Sequence, residues 1–259
     1  MRSLAARLTP RAQAWLLGCA GVAIALVLWT LLAHLLATGG GVINRLPTPL
    51  RVLRDLARDL VFSLRVFAIG WVLGAASAKI AGLEMGRVAA LGNVFIPVIE
   101  AIRPVSSIAW VPLSIVWFGF GLGGKVFLVG LAVFLVVIVY AVDGSRRIPP
   151  DLERTATMLG MNAWQRFRAL VMPGTLTEVL IGSRVALMAG WGTVIVAELV
   201  AADSGLGAHL IAVEQSYDVP AVMSTMACFG LTGFAMNALF TRMERWLMPW
   251  RHDSAQDAR

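Results

Sequence analysis

Between Arg11 and Arg45 the chain runs for 33 residues without an Asp, Glu, Lys or Arg. Within that run, Trp15 to Ala37 is long enough to cross a bilayer as a helix, since about 20 apolar residues span the hydrocarbon layer. A soluble domain hides such an element only if the rest of the chain supplies ample polar surface. It does not: 58% of the 259 residues are hydrophobic, 14% are charged, and mean hydropathy is +0.77. A soluble enzyme, a disordered chain and a secreted disulfide scaffold are therefore poor matches, and lipid is the solvent the composition requires. Arg2, Arg7 and Arg11 before the run offer a signal peptide as the rival, but the run is too long for one and no small-x-small cleavage site stands out at its end beyond the Gly39-Gly40-Gly41 turn. Residues 1–45 are read as an N-terminal arm and a retained first span.

Further spans follow from the spacing of charge and proline. Leu46-Pro47-Thr48-Pro49 marks a turn, after which Leu53, Leu56, Leu60, Leu64 and Phe67 recur at helical spacing, with Arg51, Arg54, Asp55, Arg58 and Asp59 opposite. This predicts an interface-lying helix that runs into a second span over Val61 to Gly82. A short third span is expected over Val88 to Arg103. Pro104 to Gly124, interrupted by Pro112 and rich in glycine at its end, reads as a broken or re-entrant segment. The fourth, fifth and sixth spans are placed at Val126–Val142, Thr175–Val200 and Val219–Thr241. The fold class is thus an all-α integral membrane protein of about six transmembrane helices, with residues 46–250 forming one transmembrane domain and 251–259 a tail.

The net charge of +7 raises the question of nucleic acid, yet the basic residues sit in short clusters between apolar runs and form no stripe interleaved with aromatics. With the N-terminus inside, 14 basic residues fall on the inner side and 6 on the outer, which places both termini in the cytoplasm. Cys19 and Cys228 lie in apolar stretches, and His34, His209 and His252 have no ligand-spaced companions, so neither a redox nor a metal centre is expected. Gly119 to Lys125 satisfies GxxxxGK, but Val126 stands where a phosphate loop needs Ser or Thr and no strand precedes it. Nothing resembles a catalytic constellation, which disfavours a membrane-embedded lipid enzyme.

Residues 143–174 form the longest polar stretch between spans and carry Arg146, Arg147, Arg154, Arg166 and Arg168. Pro149-Pro150-Asp151 is a helix start. Leu152, Ala156, Leu159, Ala163 and Phe167 then share one face, Gly160 interrupts it, and Asn162 with Gln165 forms a capping pair for a second short helix that Pro173-Gly174 is expected to stop. The simple alternative is a solvated loop folded back on its own spans.

Leu159-Gly160, nine residues, Leu170, one residue and then Met172-Pro173 have the spacing of the EAA loop of ATP-binding-cassette (ABC) importer permeases. Leu46-Pro47-Thr48-Pro49, Ser63-Leu64-Arg65, Ile102-Arg103-Pro104, Trp117-Phe118-Gly119, Gly182-Ser183-Arg184, Ala197-Glu198-Leu199 and Gly205-Leu206-Gly207 follow in the same order as in the nitrate, sulfonate, taurine and bicarbonate branch. The chain thus resembles a type I permease from Leu46 to Trp250. The resemblance implies a translocation subunit for a small anionic solute, in the bacterial inner membrane. It implies a second permease subunit, two ATPase subunits that hold ATP and magnesium, and a periplasmic or lipid-anchored binding protein, with no cofactor on this chain. Coupling to the ATPase would fall to Glu153, Arg154, Thr155, Ala156, Leu159, Gly160, Leu170 and Pro173. One departure stands out: Arg154 occupies the position of the motif's glutamate, and Glu153 is turned about 100° away from it. An ATP-independent carrier or channel is the rival, although it has no need of an arginine-framed helix pair. Within the fifth span, Arg184, Trp191 and Glu198 are candidates for the translocation pathway, because ionisable groups at membrane depth face protein or water. Glu198 has an equal claim as a hydrogen-bond hub for the Gly205-Leu206-Gly207 turn.

Overall fold

The computed structural model describes residues 56–200 and 203–248, with 24, 27, 28 and 31. Apart from those four positions, the first predicted span lies outside the described residues, as do residues 51–55 and the 251–259 tail. The described elements are all helical: α1 (Ala57–Arg87), α2 (Ala89–Ile102), a 3-10 turn (Ser107–Trp110), α3 (Val111–Phe118), α4 (Leu122–Arg146), α5 (Pro150–Met158), α6 (Ala163–Arg166), α7 (Met172–Val200), α8 (Leu206–Gln215) and α9 (Val219–Leu247). Four helical stretches are long and apolar enough to cross a membrane: α1, α4, the continuous run from Ala163 to Val200, and α9.

Small residues set the packing of the first pair. Gly70, Gly74, Ala78, Gly82 and Gly86 recur every fourth residue along α1, a small-xxx-small row that lets two backbones approach in a medium where apolar burial alone gives little drive. Gly70 lies against Val129, Gly74 against Gly130 and Val133, Gly82 against Ile138 and Ala141, and Gly86 against Val142 and Ser145. Both series rise together, so α1 and α4 run parallel. Helix α7 returns antiparallel beside α4: Gly190 meets Val133, Gly182 meets Tyr140, and Gly144 meets Glu178. Val66, Val129, Val133, Val137, Ile138, Ala186 and Val194 are fully buried within this triple-helix body. Helix α9 then runs antiparallel to α7 through Trp191–Phe229 and Arg184–Glu244 contacts. Hence α1, α4 and α9 all end on one side, the side of the α4–α7 loop.

The parallel order of α1 and α4 requires one return crossing between them. Helix α2 has 14 residues and reaches about 21 Å at 1.5 Å per residue, short of the hydrocarbon thickness. It bends by 99° into the segment Ser107–Phe118. The expected third span and the expected broken segment are therefore one bent pair, a broken span or a re-entrant loop, and not two independent elements. Pro104 sits at the bend, where it cannot donate to a continuing helix.

A second expectation is corrected at Pro173, which does not stop the short helix before it. The chain passes through a π-helical turn, Phe167–Val171, in which the Met172 N–H donates to the Phe167 carbonyl, and continues directly into α7. The wide turn rearranges the hydrogen-bond ladder just before the residue that has no N–H to give, so the helix survives the proline.

Candidate functional site

The loop between α4 and α7 is built as a rigid corner. Helix α5 starts at Pro150, where a missing N–H costs nothing, with Asp151 and Glu153 in its first turn. It ends in a paired closure: Met161 N–H donates to Ala156 O at 3.1 Å and Gly160 N–H to Thr157 O at 3.0 Å. Gly160 sits at φ +72°, the left-handed conformation this closure demands. One residue later the Asn162 side chain accepts from Gln165 N–H at 2.8 Å, and Gln165 Oε1 accepts from Asn162 N–H at 2.9 Å. This reciprocal box starts α6 and satisfies two donors left open at a helix start. The predicted corner of two capped helices about a glycine is therefore present.

The predicted apolar face divides in two. Ala156 is buried toward the body, and Leu170 lines a cavity of about 160 Å³ beneath the loop with Ile148, Pro149 and Leu152. Met158, Leu159 and Trp164 are 87%, 73% and 67% exposed, and Trp164 stacks on Phe167 at 5.7 Å. Glu153 reaches back to Arg87 at the end of α1, 3.2 Å away, so it ties the corner to the body. Arg154 points outward, held loosely by Asp151 at 3.4 Å. Thr155 donates to its own helix at Asp151 O, and Pro173 is exposed in the first turn of α7. The arginine is thus the charge presented outward, and the glutamate is the one turned inward.

A second polar cluster sits at the opposite end of the body. Glu198 is fully buried; its Oε2 accepts from Ser63 Oγ at 2.8 Å and from Gly207 N–H at 2.9 Å. Ser63 Oγ in turn accepts from Leu206 N–H at 3.0 Å. The hub reading describes Glu198: it pins the start of α8 to α1 and α7. Gly205 adopts φ +99°, a side chain there would fall on that carboxylate, and a side chain at Gly207 would lie 2.6 Å from Glu198 Cβ. Trp191 is buried too, donating to Phe229 O at 3.1 Å and meeting Phe67 edge to face. Of the three predicted pathway residues only Arg184 is open, 3.4 Å from Glu244. Lys125, of the GxxxxGK stretch, is buried and committed to Asp203, the Ser204 carbonyl and the face of Phe62. Burial pushes the Asp203 carboxyl upward, but the Lys125 ammonium outweighs it and holds the group below the usual carboxylate range.

The family model for binding-protein-dependent transport system inner membrane components matches residues 70–252. The chain belongs to that family. A probable ABC transporter permease of Brucella abortus is 31% identical over 84% of this chain and 90% of the relative. The taurine transport system permease TauC of Escherichia coli is 32% identical over 65% and 62%, and the putative aliphatic sulfonates transport permease SsuC of Bacillus subtilis 26% over 92% and 88%. This permease is therefore the transmembrane subunit of an ABC importer. Sequence reasoning missed the tie of Glu153 to Arg87 and the Lys125–Asp203 lock. The first joins groups on different helices and has no local signature. The second was hidden because Lys125 is read in sequence only as part of the GxxxxGK stretch, and its partner Asp203 lies 78 residues further on.

Proposed function

We propose that the permease forms part of the translocation pathway for a small oxyanion-bearing solute, an organic sulfonate first, with nitrate or bicarbonate as the wider class. A second permease subunit completes the pathway, two ATPase subunits on the loop side hold ATP and magnesium, and a periplasmic or lipid-anchored binding protein delivers solute. Both termini lie in the cytoplasm, since α9 ends on the loop side and the basic residues favour that side. Arg184 is the pathway candidate among the three named residues, while Glu198 and Trp191 hold the frame. This chain binds no cofactor.

One observation carries the coupling part of this reading: Met158, Leu159 and Trp164 stand exposed on a corner capped on both sides. An apolar knob that does not fold back on its own spans has no reason to face water, and a capped corner transmits displacement where a slack loop does not. Arg154 and Arg166 rim the groove beside it, so the ATPase surface that meets them is expected to be acidic. The test is ATPase activity of the reconstituted importer. Leu159→Asp is expected to abolish solute stimulation, and Arg154→Glu to reduce it with assembly weakened. Unchanged stimulation in both would sink the docking role.

A further inference from the structure

Helix α2 carries its polar side chains on one arc. Asn93, Glu100 and Arg103 follow at i, i+7 and i+10, within roughly 80° of one another on a helix that turns 100° per residue. Val94, Phe95 and Val98 occupy the opposite arc and are exposed, while Gly92 and Ile99 form the buried line beside the polar arc. The end of α4 presents Asp143 and Arg146 to the same place. Glu100, Arg103, Asp143 and Arg146 line one cavity of about 90 Å³ floored by Ile99 and Ile138. All four are exposed, and among the described residues none of their side chains has an ion-pair or hydrogen-bond partner. Charged side chains on a membrane-spanning bundle turn to water, a ligand or a partner, and away from lipid.

The composition of the cluster narrows what it takes. Two carboxylates beside two guanidinium groups repel a bare anion as much as they attract it. They match a solute that carries both an ammonium and an oxyanion: the planar guanidinium forks suit sulfonate or carboxylate oxygens, and the carboxylates accept from an ammonium. The cavity admits only a handful of heavy atoms. We propose that this α2–α4 cavity is a station in the solute pathway, selective for a small zwitterion over a simple anion. The proposal rests on the importer reading and adds to it the class of solute.

The assembled importer in proteoliposomes tests it, with Cys19→Ser, Cys228→Ala and a single Val139→Cys, a residue that lines the cavity. Millimolar taurine is expected to slow N-ethylmaleimide labelling of that cysteine. Ethanesulfonate, which keeps the sulfonate and lacks the ammonium, is expected to leave it unchanged. Glu100→Gln and Arg103→Gln should each raise the half-protecting taurine concentration about tenfold, the worth of one charge-assisted contact. A variant that fails to co-elute with the ATPase is replaced by Glu100→Asp or Arg103→Lys, with a smaller loss expected. Equal protection by both solutes, or by neither, overturns the proposal. So does labelling that is blocked in every condition together with cross-linking of Glu100→Cys to the second permease subunit, which would make the face a subunit interface. ATP-driven taurine uptake by the same vesicles, with binding protein added, separates the two readings. Uptake without protection overturns the station alone, and absence of taurine uptake in the parent protein counts against the organic sulfonate as the proposed solute.

Discussion

Gly160 and Glu198 are each required for a different physical reason, and substitution separates the reasons. A side chain at Gly160 would meet nothing within 4 Å, so only the backbone opposes it, at roughly 1–2 kcal/mol for a left-handed residue. Gly160→Asn, which tolerates that conformation, is expected to keep solute-stimulated ATPase activity better than Gly160→Val, with assembly intact in both. Equal activity would mean that the corner does not need its shape. At Glu198 the opposition is chemical. Glu198→Ala strands the Gly207 N–H and takes the acceptor from Ser63, at about 1–3 kcal/mol for each stranded group. Glu198→Gln keeps an acceptor and should melt between that variant and the parent when thermal unfolding of the purified importer is followed. The corner was legible in advance because its signals are local: proline, glycine and a capping pair within a few residues. The hub was legible only as one of two readings, since choosing it needs Ser63, which lies 135 residues away in sequence.

At the scale of elements, ion pairs fix how the helices meet outside the apolar body. Lys125 is buried while its partner Asp203 is half exposed, so the two sides of the pair are unequal. Asp203→Asn leaves a buried ammonium uncompensated, whereas Lys125→Met removes the charge with its burial and releases a carboxylate to water. The Asp203 variant is therefore expected to melt at the lower temperature, and the reverse order would argue against the lock. The depressed carboxyl also sets a pH sign. Its contribution is complete above the ordinary carboxylate value and fades as pH falls through the depressed one. Asp203→Asn should flatten that part of the acid-side fall in stability. On the loop side, Arg87 and Glu153 form a partly exposed pair worth at most about 1 kcal/mol of stability. Its consequence is positional, because it joins the corner to the end of α1. Arg87→Glu and Glu153→Arg should each uncouple ATPase activity from solute, and the double variant should recover most of it. Neither pair was visible in sequence, as their members are separated by whole spans.

The whole molecule is organised by how closely α1 and α4 approach. Parallel neighbours in one sheet of helices must be joined by a return crossing, and here that crossing is broken, so α1, α4 and α7 form the continuous body and the α2–α3 pair lies against it. The number of apolar stretches was readable from hydropathy, but not which two shared a crossing, because hydropathy records length and says nothing of direction. The five-membered small-residue row was in the sequence throughout, and its meaning depends on what lies opposite. A methyl group at Gly74 would fall on the Gly130 carbonyl, backbone that cannot rotate aside, so Gly74→Ala must push α1 away from α4 along its length. Gly192, on α7, has no atom within 4 Å of where its side chain would be, and Gly192→Ala fills open space while favouring the helix. Loosened contacts along a packed core cost about 1–3 kcal/mol when forced by an added methyl. Gly74→Ala is therefore expected to lower the melting temperature of the assembled importer and its transport rate together, and Gly192→Ala to leave both at or above the parent. Equal melting temperatures would show that the α1–α4 seam yields elsewhere and that the parallel pair is not the rigid part of the body.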